Sequence, residues 1–316
     1  LAECKTPRET GAFFFRAFLI RNFARPGADH IDVTAVTILL RSSKFQISRT
    51  MNSERRSRSM KTLRTLTVIA GLLAGSLGMQ AAPAQAEASV KAKNVVLVHG
   101  AWADGSSWAQ VIPRLQAAGL HVTAVQNPLT SLEDSVAETR RVLAQQDGPT
   151  VLVAHSWGGT VISEVGTDPK VTGLVYVAAR APDAGEDFVA LSQKFPAGPA
   201  RAGVQAHDGF TKLSEDAFLK YFANGVDPTT AKVLYAVQWP TAASIFSGRT
   251  TAAAWRSKPS WYAVSKEDYT INPDLERFLA KRMNATTVEL DAGHLSLVSQ
   301  PDKVADLILA AAGQKE

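Results

Sequence analysis

The sequence predicts an α/β fold: a mostly parallel, doubly wound sheet with a small helical insertion. Three observations carry this. Six short apolar runs rich in β-branched residues recur between residues 95 and 290. Amphipathic stretches of helical length separate most of them, and one run ends in Ala154-His155-Ser156-Trp157-Gly158-Gly159. Continuous apolar runs read as strands buried on both faces, and their alternation with helices is the pattern of a parallel sheet covered on both sides.

The strand candidates are 95–98, 122–125, 151–154, 174–178, 261–264 and 287–290. Two of the helices announce their starts. Ser131 precedes Leu132-Glu133-Asp134, and Arg140-Arg141 come later in a run to Gln146, the charge order that suits a helix dipole. Gln300-Pro301-Asp302 opens another, whose apolar positions Val304, Leu307, Ile308 and Ala311 share one face. The alternation breaks between about 183 and 257, a stretch with Pro196, Pro199, Pro228 and Pro240 and with aromatics such as Phe188, Tyr221 and Trp239. It is too long for a structureless loop in a compact domain, so it is expected to be a helical cap whose aromatics mostly form its own core.

The front of the chain reads differently. Met60-Lys61-Thr62-Leu63-Arg64 is followed by an apolar run from Leu66 to Leu77 and by Ala84-Gln85-Ala86 before Glu87. A basic segment, a hydrophobic segment and a small-residue cleavage site make up a secretory signal over 60–86. The rival, a membrane anchor, needs about 20 apolar residues, and no stable anchor is expected after cleavage. The product is expected to be secreted or periplasmic, its folded domain spanning 87–316. Residues 1–59 hold 11 Lys+Arg against 5 Asp+Glu. Lying upstream of a signal, they are expected to be an extension that is not native or is disordered. A secreted form that retains Phe13 to Phe15 on N-terminal sequencing would refute this.

Setting the front aside changes the electrostatics. The 316-residue chain has a formal charge of +5, but 87–316 hold 21 Lys+Arg against 24 Asp+Glu, a net of −3. No basic stripe interleaved with aromatics remains, so no nucleic-acid partner is expected. The one cysteine, Cys4, also lies in the front, which leaves 87–316 without a disulfide or a thiol nucleophile.

Chemistry is written around Ser156. A serine between a buried strand and a glycine-opened helix reads as a nucleophile elbow, in which a strained turn lifts the hydroxyl above the sheet edge. Gly158 is the small residue two places on; two places before, where a glycine is usual, stands Ala154. The plainer reading is a Ser-Gly turn closing a strand. A nucleophile needs a base, an acid and oxyanion donors, and in open parallel sheets such groups gather at the carboxyl ends of strands. His294, in Asp291-Ala292-Gly293-His294 after the last strand, is the expected base. Asp268, in Ser265-Lys266-Glu267-Asp268 after the strand before it, is the expected acid, with Asp183 the main rival and Asp274 and Asp291 behind it. Of the other histidines, His30 lies in the front, His121 begins a strand, His207 lies in the cap and His99 follows the first strand. His155 adjoins Ser156 with its side chain expected to diverge from it. The oxyanion donors are expected to be the N–H groups of Trp157 and Ala101, the latter in His99-Gly100-Ala101-Trp102. Substrate-contact candidates are Trp102, His155, Trp239 and Leu295; Trp102 and Trp108 either wall the acyl pocket or pack beneath it. No H-E-x-x-H, Cys/His cluster or phosphate-cradling glycine loop occurs, so no metal or cofactor is expected.

Val96-Leu97-Val98-His99-Gly100-Ala101-Trp102, Ala154-His155-Ser156-Trp157-Gly158-Gly159 and Ala292-Gly293-His294, in the order Ser, Asp, His, resemble the α/β-hydrolase fold superfamily over about 94–313. The resemblance is to the serine esterase branch related to methyl salicylate esterases and hydroxynitrile lyases. It implies a carboxylesterase acting on a small-molecule ester through an acyl-enzyme, with lactone hydrolysis, for example of acyl-homoserine lactones, or cofactor-free perhydrolysis as alternatives. A non-catalytic binding member of the fold is the reading from another class. Dehalogenases and epoxide hydrolases of the fold carry aspartate at the elbow, where this chain has Ser156. The lyases carry lysine directly after the catalytic histidine, where this chain has Leu295.

Overall fold

Six parallel strands form the central sheet of the computed structural model, which describes residues 91–314; the expected extension at 1–59 and the signal at 60–86 lie outside the described residues. The strands are β1 (Asn94–Val98), β2 (His121–Val125), β3 (Thr150–His155), β4 (Val171–Val177), β8 (Ser260–Ser265) and β9 (Thr286–Leu290), with β5 to β7 in the insertion between β4 and β8. Each expected run is present and one or two residues longer, because hydrogen-bonded register extends past the apolar core of a strand; the fourth starts three residues earlier than expected and ends at Val177 rather than at 178. The order is β2-β1-β3-β4-β8-β9. All residues of β1 and β3 are buried, whereas β2 and β9 at the edges are mostly half-buried or exposed. The run of hydrophobicity therefore grades with position in the sheet.

The helices cover both faces, as a right-handed crossover between parallel strands requires. The principal ones are Ile112–Ala117, Leu132–Ala144, Gly158–Val165, Pro273–Arg282 and Pro301–Ala311. Ser131 caps the second, its hydroxyl accepting from the Asp134 N–H at 2.9 Å, and Asn272 caps the fourth through the Asp274 N–H at 2.9 Å. Each such cap supplies a partner for an N–H the helix cannot satisfy, typically worth about 1 kcal/mol. In the last helix Val304, Leu307, Ile308 and Ala311 are buried together, so the period seen in the sequence is the face that packs on the sheet. Among the described residues no helix is long and apolar enough to cross a membrane.

The insertion is partly helical, with Phe188–Ser192, Pro228–Ala236 and shorter turns. It also contains an antiparallel sheet, β5 (Val204–His207), β6 (Phe210–Leu213) and β7 (Thr241–Ala242). His207 pairs with Phe210, so Asp208-Gly209 is a two-residue hairpin loop, with φ of 47° and 81°, the positive values a twisted hairpin favours.

The chain leaves β1 for β2 at one edge and returns to β3 on the other side of β1. That reversal opens a crevice at the carboxyl ends of β1 and β3, the place where open α/β sheets bind ligands. Ser156 is the first residue beyond β3.

Candidate active site

Ser156 has φ of +53°, a left-handed conformation that a non-glycine residue adopts only when its surroundings hold it there. The surroundings are tight. A Cβ on Gly158 would stand 2.8 Å from the carbonyl oxygens of both Val98 and His99, and one on Gly100 would stand 2.6 Å from Ser156 Cβ. The glycines let the helix after the elbow and the loop after β1 close on the serine. Ala154 is buried within β3 and is accommodated there.

His294 brings Nε2 to 2.9 Å from Ser156 Oγ and Nδ1 to 2.5 Å from Asp268 Oδ2. Asp268 is held by its other oxygen, Oδ1, which accepts from the N–H groups of Thr270 at 2.6 Å and Ile271 at 2.8 Å. All three side chains are buried. Each rival acid is engaged elsewhere: Asp183 with Arg256, Asp274 with Arg277 and Asp291 with Lys266.

Trp102 N–H donates to Thr241 Oγ1 at 3.0 Å and its indole to Thr211 Oγ1 at 3.1 Å. The Trp157 indole donates to the Ile245 carbonyl at 3.0 Å. The insertion thus pins both loops that meet at Ser156. Among the hydrogen bonds of the described residues the backbone N–H groups of Ala101 and Trp157 have no acceptor, which leaves both available to an oxyanion.

A cavity of about 660 Å³ opens beside Ser156, lined also by Ala101, Trp102, Trp157, Phe188, Phe246 and Arg180. Of the four residues expected to contact substrate, only Trp102 lines it. Trp239 is 56% exposed and Leu295 is buried, both outside the lining. Trp108 is wholly buried away from the cavity. His155 diverges from Ser156, and its Nε2–H donates to the His294 carbonyl at 3.0 Å, its ring 4.6 Å from that of His294. It braces the loop that carries the base. Among the described residues no group of three or more potential metal ligands gathers.

Two residues near the series were given no role from sequence: His99, set aside as a base, and Glu276, not considered. His99 is buried, accepts at Nε2 from the Asn127 N–H at 2.9 Å and donates from Nδ1 to the Gly100 carbonyl at 2.9 Å. Its neutral form therefore clamps the loop that presents Ala101. Glu276 is wholly buried beside Asp268 and accepts from the Ser265 N–H at 3.1 Å. Burial and, next, the Asp268 charge push its carboxyl well above the usual range, which favours its protonated form.

The buried histidines contribute to the acid sensitivity of the fold. Burial lowers the pKa of His99 to about 4, and burial together with the nearby His294 lowers His155 well below the ordinary 6.5. Each takes up a proton first in the unfolded chain, so stability is full above pH 6.5 and is lost as pH falls towards the folded values. For His99 alone the expected loss between pH 7 and pH 5 is about 2 kcal/mol. Urea midpoints at the two pH values measure it, and equal midpoints would contradict a neutral, buried clamp.

A serine, histidine and aspartate in hydrogen-bonded series at the switch point of a parallel sheet define the class: an α/β protein with serine-hydrolase geometry. The chain belongs to the alpha/beta hydrolase family, whose model matches residues 95–307. It is 27% identical to a putative methylesterase 19 of Arabidopsis thaliana over 70% of this chain and 97% of that protein. It is 35% identical to a carbendazim hydrolyzing esterase of Nocardioides sp. over 39% of this chain and 56% of that one. Polyneuridine aldehyde esterase has the same fold, with a TM-score of 0.61 at 20% identity over 70% of this chain and 99% of that chain.

Proposed function

We propose that the protein is a serine carboxylesterase. The observation that carries this reading is the unbroken series from Ser156 Oγ through His294 to Asp268 beside a cavity. Relatives named as esterases support ester hydrolysis as the reaction. His294 Nε2 takes the Ser156 proton as Oγ attacks the ester carbonyl, and Asp268 stabilises the imidazolium and fixes its orientation. The Ala101 and Trp157 N–H groups receive the tetrahedral oxyanion; one such donor is typically worth about 3 kcal/mol in the transition state. The imidazolium then returns its proton to the leaving alcohol, leaving Ser156 acylated. Water, deprotonated by His294, releases the acid and restores the serine. The signal-like segment at 60–86 supports export of the enzyme.

Short and medium p-nitrophenyl esters and a lactone panel, with peptide mass spectrometry for an acyl group on Ser156, test the proposal. Saturable ester hydrolysis with acylation of Ser156 is expected. Turnover of lactones without esters would replace the carboxylesterase reading by a lactonase, and a lack of turnover of either would remove it.

A further inference from the structure

The cavity beside Ser156 is lined by two arginines, Arg180 and Arg201, and by no aspartate or glutamate. Arg201 is exposed to solvent, whereas Arg180 is only partly accessible. The backbone around Arg180 is fixed to the elbow. Its N–H donates to the Ser156 carbonyl at 3.0 Å, and the Tyr262 hydroxyl donates to the carbonyl of Ala179 at 2.5 Å and accepts from its N–H at 3.0 Å. The backbone from which this side chain leaves is thus held against the elbow, and both Arg180 and Ser156 line the cavity.

The guanidinium lies 4.9 Å from the ring centroid of Phe188 and 5.3 Å from that of Phe246, and Nη1 donates to the Phe246 carbonyl at 3.2 Å. A guanidinium has five N–H donors, and this is the one side-chain hydrogen bond of Arg180 among the described residues. Nearby arginines contrast with it. Arg256 pairs with Asp183, Arg249 with Asp187 and Arg282 with Glu186, whereas Arg180 has no carboxylate partner among the described residues. Burial lowers its pKa only to about 10, so it remains a cation at neutral pH. Cation–π contact with the two phenylalanine rings favours the charge, but rings accept no N–H in the guanidinium plane, so four of its five donors have no acceptor among the described residues.

We propose that Arg180 determines specificity by binding a carboxylate on the substrate, so that the preferred esters are half-esters of dicarboxylic acids. This rests on the carboxylesterase reading and names its substrate class. The planar fork of a guanidinium matches a carboxylate bidentately, and one guanidinium neutralises one such charge. A phosphate monoester dianion would leave charge over unless the exposed Arg201 also closed on it. Aromatic walls on either side of Arg180 suit the methylene chain between the carboxylate and the ester.

The p-nitrophenyl half-esters of succinate, glutarate and adipate, each beside the neutral p-nitrophenyl ester of the same acyl length, provide the test. The wild-type enzyme is expected to favour at least one half-ester by about tenfold or more in kcat/KM. Arg180→Gln is expected to bring that ratio to one or below, and Arg180→Lys to restore part of it by keeping the charge. A wild-type ratio at or below one for every pair, or a ratio that Arg180→Gln does not change, would overturn the proposal. Calorimetric titration of Ser156→Ala with the monomethyl esters of the same diacids separates this from the esterase reading. Binding abolished by adding Arg180→Gln supports the anion site even if no ester is turned over. Binding that persists without the Arg180 charge, or no binding at all, counts against it.

Discussion

Ser156→Ala is expected to lower kcat for a p-nitrophenyl ester by about 10⁶, and His294→Ala by a similar factor. The reason is the geometry of a single proton path. Ser156 Oγ and His294 Nε2 are 2.9 Å apart, and each is useless for acyl transfer without the other, because a serine hydroxyl without a base is a weak nucleophile and a base without a serine has only water to activate. The double variant is therefore expected to be no slower than either single one. Residual activity above the uncatalysed rate would come from the N–H groups at Ala101 and Trp157, which neither substitution touches. Steady-state rates of the three variants on one substrate measure this. Losses that multiply would mean that the two side chains act independently and that the hydrogen bond between them is not the proton path.

How far such a site can be read from sequence depends on what kind of constraint shaped each residue. Strands buried on both faces must be apolar throughout, so β1, β3 and β4 stand out as runs, and the elbow stands out because its glycines meet a steric demand. Ser156, His294 and Asp268 could be named because strand ends are where an open sheet collects its chemistry, and the structure brings these three side chains into one series. The small sheet of the insertion was not expected from the sequence, where this stretch reads as a helical cap. Its strands have four, four and two residues, too short for a period to declare itself, although Asp208-Gly209 is a hairpin signal in its own right. Glu276 and Arg180 carry no local signature. A glutamate in Pro273-Asp274-Leu275-Glu276-Arg277 reads as an exposed helical charge, and an arginine just past a strand reads as a solvated loop residue. What distinguishes them is the company they keep, a carboxylate next to Glu276 and a cavity without acids around Arg180, and both are properties of tertiary contact. His155 shows the same limit from the other side: its ring diverges from Ser156 as expected, but that it meets the back of the His294 loop rather than a substrate is again a tertiary contact.

Asp268→Asn is expected to lower kcat by about 10⁴ with the fold intact. The size follows from which atom of the amide must face the histidine. Asp268 Oδ1 accepts two backbone N–H groups, from Thr270 and Ile271. In the asparagine variant the carbonyl oxygen has to stay with those donors, which places the amide nitrogen opposite His294 Nδ1. That nitrogen can only donate, so Nδ1 becomes the acceptor and the ring proton moves to Nε2, the atom that has to receive the serine proton. The imidazole is then in place but in the wrong tautomer. Glu276→Gln is the matched control. Burial beside Asp268 favours its protonated form, and an amide of the same shape keeps that neutral form and the acceptor offered to Ser265 N–H, so the expected change in kcat is less than about threefold, under 1 kcal/mol. Rates for the two variants under identical conditions, with circular dichroism and thermal midpoints to verify folding, decide the matter. A loss in Glu276→Gln approaching that of Asp268→Asn would show that Glu276 is ionised in the working enzyme and that the negative charge behind His294 is shared between two carboxylates.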